Sequence, residues 1–312
     1  MIATVTLNPS LDEWIHLPSV RLGQLNRATH FARYPGGKGI NVSRVVSELG
    51  QRTVAYALTG GADGQMLQQL LRRLGVAYDC VTVKGATRNN YKIRTEAPRL
   101  VTEINTAGPT VSAAEVNTLK RRLLAARSRP QAVALCGSLP PGARADTYRR
   151  WIQAFTRLRI PTVLDASGEA LRQGLAARPW LIKPNRQEAQ ELLGDRLLTR
   201  RAVVHAAKAL LARGPSVVIL SLGRDGAVLA AAAPHGVWLA TPPTVPVDSA
   251  VGAGDALVGG VLTGWAAHRP LLDAFRLGVA CGTASVTTSG TELCRRAEVR
   301  RLLSRVTIRQ LQ

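Results

Sequence analysis

Short apolar stretches rich in β-branched residues alternate along the chain with longer stretches whose apolar residues recur every three or four positions. IATVTLN (2–8), RTVAYALTG (52–60), QAVALCGS (131–138), PTVLDAS (161–167), WLIKPN (180–185) and SVVILSLG (216–223) read as strands. Between them GKGINVSRVVSELG, GQMLQQLLRRLG, SAAEVNTLKRRLLAAR, ADTYRRWIQAFTRL and TRRAVVHAAKALLAR carry helical spacing. This order predicts an α/β fold, doubly wound, with a mainly parallel sheet and helices on both faces. Ligand sites of such a sheet lie at the carboxyl ends of its strands.

Two regions break the rhythm. Residues of about 12–34 and 85–106 hold short alternating stretches, EWIHLP, NRATHFARY, NNYKIRTE and RLVTEIN, with no helix between them. They predict a small antiparallel sheet serving as a lid; a pair of plain surface hairpins is the simpler alternative. Beyond Asp255 the spacing predicts helix to the end. No repeat, low-complexity tract or linker interrupts the chain, so 1–312 reads as one domain with a lid.

Composition narrows the class. At 312 residues and 46% hydrophobic, the chain can bury a full core, yet no apolar run reaches the roughly 18 residues that span a bilayer. The start enters a strand without a basic segment, so no signal peptide is expected. Cys80, Cys136, Cys281 and Cys294 are scattered, as reduced thiols of a cytoplasmic protein would be. The formal charge of +21 raises a nucleic-acid reading. However, only six of 41 basic residues are lysine, and the arginines spread over predicted helices in place of one tail. A solvated basic surface that attracts anionic metabolites fits better; nucleic-acid binding stays as the non-enzymatic alternative.

Candidate chemistry concentrates in VDSAVGAGDALVGG at 247–260. Glycines allow a tight turn whose amides, with the positive end of the following helix, hold an oxyanion or phosphate. Asp255 is then either an acid that stabilises the first helical turn or a base that takes a proton from a hydroxyl beside a held phosphoryl group. No G-x-x-x-x-G-K-[ST], G-x-G-x-x-G or G-x-S-x-G occurs, and histidines 16, 30, 205, 235 and 268 lack zinc spacing.

Eight segments then occur in one order: TLNPSLD (6–12), PGGKGINVSRV (35–45), TRNNYK (87–92), TEINTAGP (102–109), GSLPPG (137–142), KPNRQE (183–188), SLGRDGA (221–227) and AVGAGDALVGG (250–260). Together they resemble the ribokinase/PfkB family of sugar kinases over essentially the whole chain. The resemblance is nearest to the branch of 1-phosphofructokinase, tagatose-6-phosphate kinase and minor 6-phosphofructokinase.

The resemblance implies ATP-dependent phosphorylation of a sugar hydroxyl with Mg²⁺. It makes Asp255 the catalytic base, and Gly252, Ala253 and Gly254 the anion hole. It places Asp12, at the close of the first strand, with Gly37, Lys38 and Asn41 on the sugar. Arg88, Lys92 and Arg27 would grip the phosphate already on the substrate, within reach of Ser138. Arg88 and Lys92 are four apart, on one face if they share a strand.

On the nucleotide side it assigns Lys183, Asn185, Ser221, Gly223 and Gly226 to ATP. Glu188 would organise Mg²⁺ through water. Without the family these are ordinary turn residues, surface charges and a helix-entry acid. Lys38, Lys92 and Lys183 are half of the lysines. TTSGTEL at 287–293 resembles the family's K⁺ region, which adds K⁺ as a further ion. Ala250 departs from the usual Thr before VGAGD and removes a hydroxyl there. GGKGIN, TEINTAGP and GQLNR point to fructose 1-phosphate as substrate; DASGEAL and GTELC resemble the 6-phosphofructokinase version. Exposed lid edges would pair with a second copy, giving a homodimer.

Overall fold

A computed structural model describes residues 1–311. In chain order its elements are β1 (Ile2–Thr6), β2 (Ser10–Leu17), β3 (His30–Gly36), α1 (Lys38–Glu48), β4 (Thr53–Thr59), α2 (Gly61–Arg73), β5 (Tyr78–Thr82), β6 (Arg88–Glu96), β7 (Arg99–Asn105) and α3 (Ala113–Leu124). There follow β8 (Ala132–Cys136), α4 (Thr147–Arg157), β9 (Thr162–Asp165), α5 (Gly168–Leu175), β10 (Leu181–Ile182), α6 (Arg186–Leu193), α7 (Arg200–Ala212) and β11 (Val217–Ser221). The chain closes with β12 (Ala227–Ala231), β13 (Gly236–Thr241), α8 (Ala253–Ala266), α9 (Leu271–Ser285), α10 (Arg296–Leu303) and β14 (Thr307–Leu311).

Ten strands form one sheet in the order β14-β13-β12-β11-β10-β9-β8-β1-β4-β5. From β5 to β11 every pairing is parallel; β12, β13 and β14 add antiparallel strands at one edge. The parallel strands are apolar on both faces because helices cover both. In β8, Val133 and Leu135 face a core with Leu119 of α3, Trp151 and Phe155 of α4 and Leu210 of α7. Ala132, Ala134 and Cys136 face the opposite core, with Val42 and Val45 of α1, Val258 of α8 and Phe275 of α9. The doubly wound reading therefore holds, and its crossovers bring the ends of β1, β8, β9 and β10 side by side.

A second sheet has the order β3-β2-β6-β7. It lies where the lid was expected, but it is mixed, not antiparallel: β2 and β6 run parallel, Ser10 opposite Arg88 and Leu17 opposite Thr95. Asp12 accordingly sits inside β2 and does not close the first strand. Two further differences lie at the far edge. The hairpin of β12 and β13 escaped notice because its strands are short and rich in alanine. The expected terminal helix stops at Leu303, and TIRQL pairs with β13 as a strand. Its alternating exposure belongs to an edge strand.

Helix α8 packs so closely on α9 that a Cβ at Gly260 would fall 2.7 Å from Gly278 Cα and 2.9 Å from the Leu277 carbonyl oxygen. Gly260→Ala gains about 1 kcal/mol of helix propensity, but the clash is with backbone that cannot swing away, and overpacking costs about 1–3 kcal/mol. The variant should melt at a lower temperature in a thermal unfolding scan; an unchanged or higher melting temperature would contradict this packing account.

Candidate active site

The carboxyl ends of β1, β8, β9 and β10 and the start of α8 meet the inner face of the small sheet. Gly252 caps α8 with φ 81°, a left-handed conformation that a glycine adopts without strain. A Cβ there would also strike Leu293 Cδ2 at 2.5 Å. No side chain caps this helix, so the first-turn amides, those of Gly254 and Asp255 included, are left to whatever anion arrives. Lys183, directly after β10, places Nζ 3.3 Å from where a Gly254 Cβ would lie. An ammonium thus stands over the same turn.

Asp255 lies in the first turn of α8 and is buried. Its Oδ2 accepts a hydrogen bond from Asn41 Nδ2 at 2.9 Å. Its Oδ1 has no protein partner and is not among the sealed, unpaired polar atoms. One oxygen is fixed and the other is free to accept a proton. Burial, then the neighbouring Asp165 carboxylate, push its pKa up to about 7, against the pull of Lys38, Asn41 and Lys183.

Asp165 is the group that motif reading missed. It ends β9, fully buried, and takes Lys38 Nζ on Oδ1 at 2.8 Å and Lys183 Nζ near Oδ2 at 3.3 Å. Burial alone would raise its pKa, yet Lys183 and Lys38 outweigh that and hold it below the usual value. Lys38 feels the reverse: burial favours loss of its proton, but Asp165, Asp255 and Glu188 raise its pKa overall. Glu188 lies 3.8 Å from Lys38 Nζ. Two carboxylates and two ammonium groups are thereby interleaved in a space of low dielectric, where pairing is what permits burial.

Of the residues that the resemblance assigned to the sugar phosphate, Asp12, Arg88 and Lys92 share the inner face of the small sheet. Asp12 accepts Ser10 Oγ at 2.9 Å and faces Asn90 Nδ2 at 3.5 Å; burial raises its pKa, opposed by Lys92 and these bonds. A Cβ at Gly36 would lie 2.4 Å from Asp12 Oδ1 and displace that carboxylate. Gly37 then opens α1, which carries Lys38 and Asn41. Arg88 is held by the carbonyls of Thr106 and Asn8, at 2.7 and 3.0 Å, and Asn8 Nδ2 reaches Ser138 Oγ at 3.3 Å.

In this corner Arg88 Nε, Asn8 Oδ1 and Asn90 Oδ1 are buried with no partner. Buried polar groups seldom stay unpaired, and a water or a polar ligand would complete this set. Lys92 shares the face with Arg88, as the strand spacing predicts, and pairs with Glu103 and Asn105 of β7. Arg27 stands apart, exposed between β2 and β3, with no side-chain bond or ion pair among the described residues. Asn8, Ser10 and Asn90 lie inside TLNPSLD and TRNNYK, so the motifs held them although only Asp12, Arg88 and Lys92 were singled out.

Across the site, Asn185 caps α6 in a reciprocal box with Glu188: Asn185 Oδ1 accepts the Glu188 amide and Glu188 Oε2 accepts the Asn185 amide, each at 2.8 Å. Asn185 also bridges to Ser221 at the end of β11. Gly223 and Gly226, at φ 63° and 91°, make the turn from β11 into β12. Among the described residues no cluster of three or more His, Cys, Asp or Glu forms a metal cage. The single carboxylate of Glu188 suits an Mg²⁺ ion that keeps its waters and takes its remaining ligands from phosphates.

The Asp165 charge raises the pKa of Asp255 by repulsion, so Asp165→Asn should lower it. A carbon-13 carboxyl titration of the ligand-free protein reads this directly; an Asp255 midpoint that stays near 7, or rises, would break the coupling.

Known proteins similar to this chain over its whole length are phosphofructokinases. The 1-phosphofructokinase of Bacillus subtilis is 37% identical over 311 residues, covering 100% of both chains. The ATP-dependent 6-phosphofructokinase isozyme 2 of Mycobacterium tuberculosis is 35% identical over 301 residues, 96% of this chain and 88% of that one. Phosphofructokinase-2 of Escherichia coli, solved with substrates and products, superposes with a TM-score of 0.92 at 32% identity over 97% and 98% of the two chains. That enzyme has also been solved with potassium and as a tetrameric inhibited form. The model of the pfkB family carbohydrate kinases matches residues 5–298, and the chain belongs to that family.

Proposed function

We propose that the protein transfers the terminal phosphoryl group of ATP to the C6 hydroxyl of fructose 1-phosphate, giving fructose 1,6-bisphosphate. That it is a sugar-phosphate kinase of the phosphofructokinase type rests on its relatives. The observation that carries the mechanism is the half-engaged Asp255 carboxylate beside an uncapped helix start. A carboxylate with a pKa near 7 is ionised often enough at neutral pH to accept a proton and basic enough to take it. The α8 amides and Lys183 face the charge that develops on the phosphoryl oxygens. Mg²⁺, held by Glu188 through water, would neutralise nucleotide phosphates.

Asp12 and Asn90 present acceptors and donors to sugar hydroxyls. Arg88, whose Nε lacks a partner, offers a planar donor to the phosphate already on the substrate. Choice of fructose 1-phosphate follows the 1-phosphofructokinases among the relatives, at 37% and 35% identity. The second reading, fructose 6-phosphate, has the M. tuberculosis relative at 35% in its favour. The TTSGTEL loop is braced from within the chain, the Thr291 carbonyl accepting Arg44 Nη2 at 2.6 Å and the Thr288 hydroxyl donating to the Ser285 and Leu293 carbonyls.

The lid also supports assembly. Phe31, Leu100 and Ile104 are 47%, 58% and 50% exposed on the sheet face that points away from Asp12, and Leu22 and Leu25 are exposed in the loop between β2 and β3. A second copy covering this face would make the homodimer we infer.

Two measurements test the proposal. Steady-state rates on fructose 1-phosphate, fructose 6-phosphate and tagatose 6-phosphate should favour the first, and preference for either other sugar would reassign the substrate. Asp255→Asn should lower kcat by about 10²–10⁴ with folding intact; near-normal turnover would remove the base.

A further inference from the structure

Strand β6 presents Arg88, Asn90, Lys92 and Arg94 on one face. The first three look toward the sugar side, but Arg94 crosses to a loop of the main sheet. Its Nη1 and Nη2 donate to Asp248 Oδ2 and Oδ1 at 2.6 and 2.9 Å, and Arg99 of β7 adds a bond to Oδ1 at 2.6 Å. The pair spans 154 residues. Many other ion pairs here join exposed side chains three or four apart on one helix, such as Arg301 with Glu298, and stabilise little. Arg94 is 8% exposed, and a forked guanidinium on a carboxylate fixes direction as well as distance.

Asp248 stands four residues before Gly252. Its amide donates to the Val286 carbonyl at 2.7 Å, and Ser249 Oγ then accepts the Val251 amide at 3.2 Å. The carboxylate is thus attached to a braced segment that delivers the anion hole. A second tie lies close by: Trp14, paired with Lys92 across β2 and β6, donates Nε1 to Thr291 Oγ1 at 2.8 Å. Both ends of one strand therefore matter. Arg88 meets the substrate side, and Arg94, six residues on and ~20 Å away at about 3.3 Å per residue, meets the main sheet.

We propose that Arg94 and Asp248, braced by Arg99, form a latch that sets the lid's sugar-phosphate grip at a fixed distance from the α8 anion hole. They are positioning residues for phosphoryl transfer, a role that rests on the function proposed above. An ångström of lid displacement would misalign the acceptor hydroxyl with Asp255, and such errors cost up to about 100-fold.

The test uses Asp248→Asn, Arg94→Lys and the double variant, with hydrogen exchange on the ligand-free protein beside kinetics on both substrates. Arg94→Lys keeps the charge and loses only the fork. Exchange should quicken in 88–105 and 248–252 while β1 and β8 stay protected. The kcat/KM for the sugar phosphate should fall about 10–100-fold, with KM for ATP unchanged. The double variant should be no worse than the worse single one. Unchanged lid exchange overturns the latch. Faster lid exchange with normal kcat/KM overturns the positioning role, as does a uniform rise that includes β1 and β8. Multiplying effects show that the two side chains do not act as one unit. A protein inactive on every sugar phosphate would refute the proposed function, and the exchange data would still decide the latch.

Discussion

Four charged groups share the buried space at the ends of β9 and β10, and the site depends on their alternation. Asp165 lies between Lys38 and Lys183, and Asp255 lies beyond them at the mouth of α8. Removing Asp165 would take from Lys38 and Lys183 the counter-charge they share, which is costly. The arrangement also divides labour between two like carboxylates. Asp165, doubly paired, stays ionised. Asp255, with one amide donor, is held near neutrality by burial and by its neighbour. Environment alone makes one a permanent counter-ion and lets the other gain and lose its proton near neutral pH.

The fold supplies this chemistry through crossovers. Parallel strands point their carboxyl ends the same way, so residues far apart in the chain arrive at one rim: Asn8 after β1, Ser138 after β8, Asp165 on β9 and Lys183 after β10. The mixed sheet then covers the rim. Its inner face is polar, with Ser10, Asp12, Asn90 and Lys92, while its outer face keeps Phe31 and Ile104. The two-residue period of a strand separates these functions.

What could be read from the residues beforehand was local. GAGD, the paired glycines before Lys38 and Glu188 as a helix-entry acid declare themselves because turns and helix starts involve neighbours in sequence. The parallel core was legible for the same reason, through spacing. Asp165 was not. It ends an apolar strand, and its partner Lys38 lies 127 residues away; only tertiary structure reveals the pairing. Arg94 likewise lies inside NNYKIRTE, with its partner Asp248 154 residues away. The parallel pairing of β2 with β6 escaped because spacing names an element's period, not its partner, and TIRQL is too short for its spacing to separate strand from helix.

That parallel pairing has a consequence for how the molecule comes together. Asn90 and Asp12 meet across 78 residues of chain, so joining β2 to β6 closes a long loop before any contact between them repays the lost entropy. The intervening β4–α2–β5 unit is local and can form first. The small sheet should therefore be among the last parts of the molecule to form, completed only when its most distant strands have found each other.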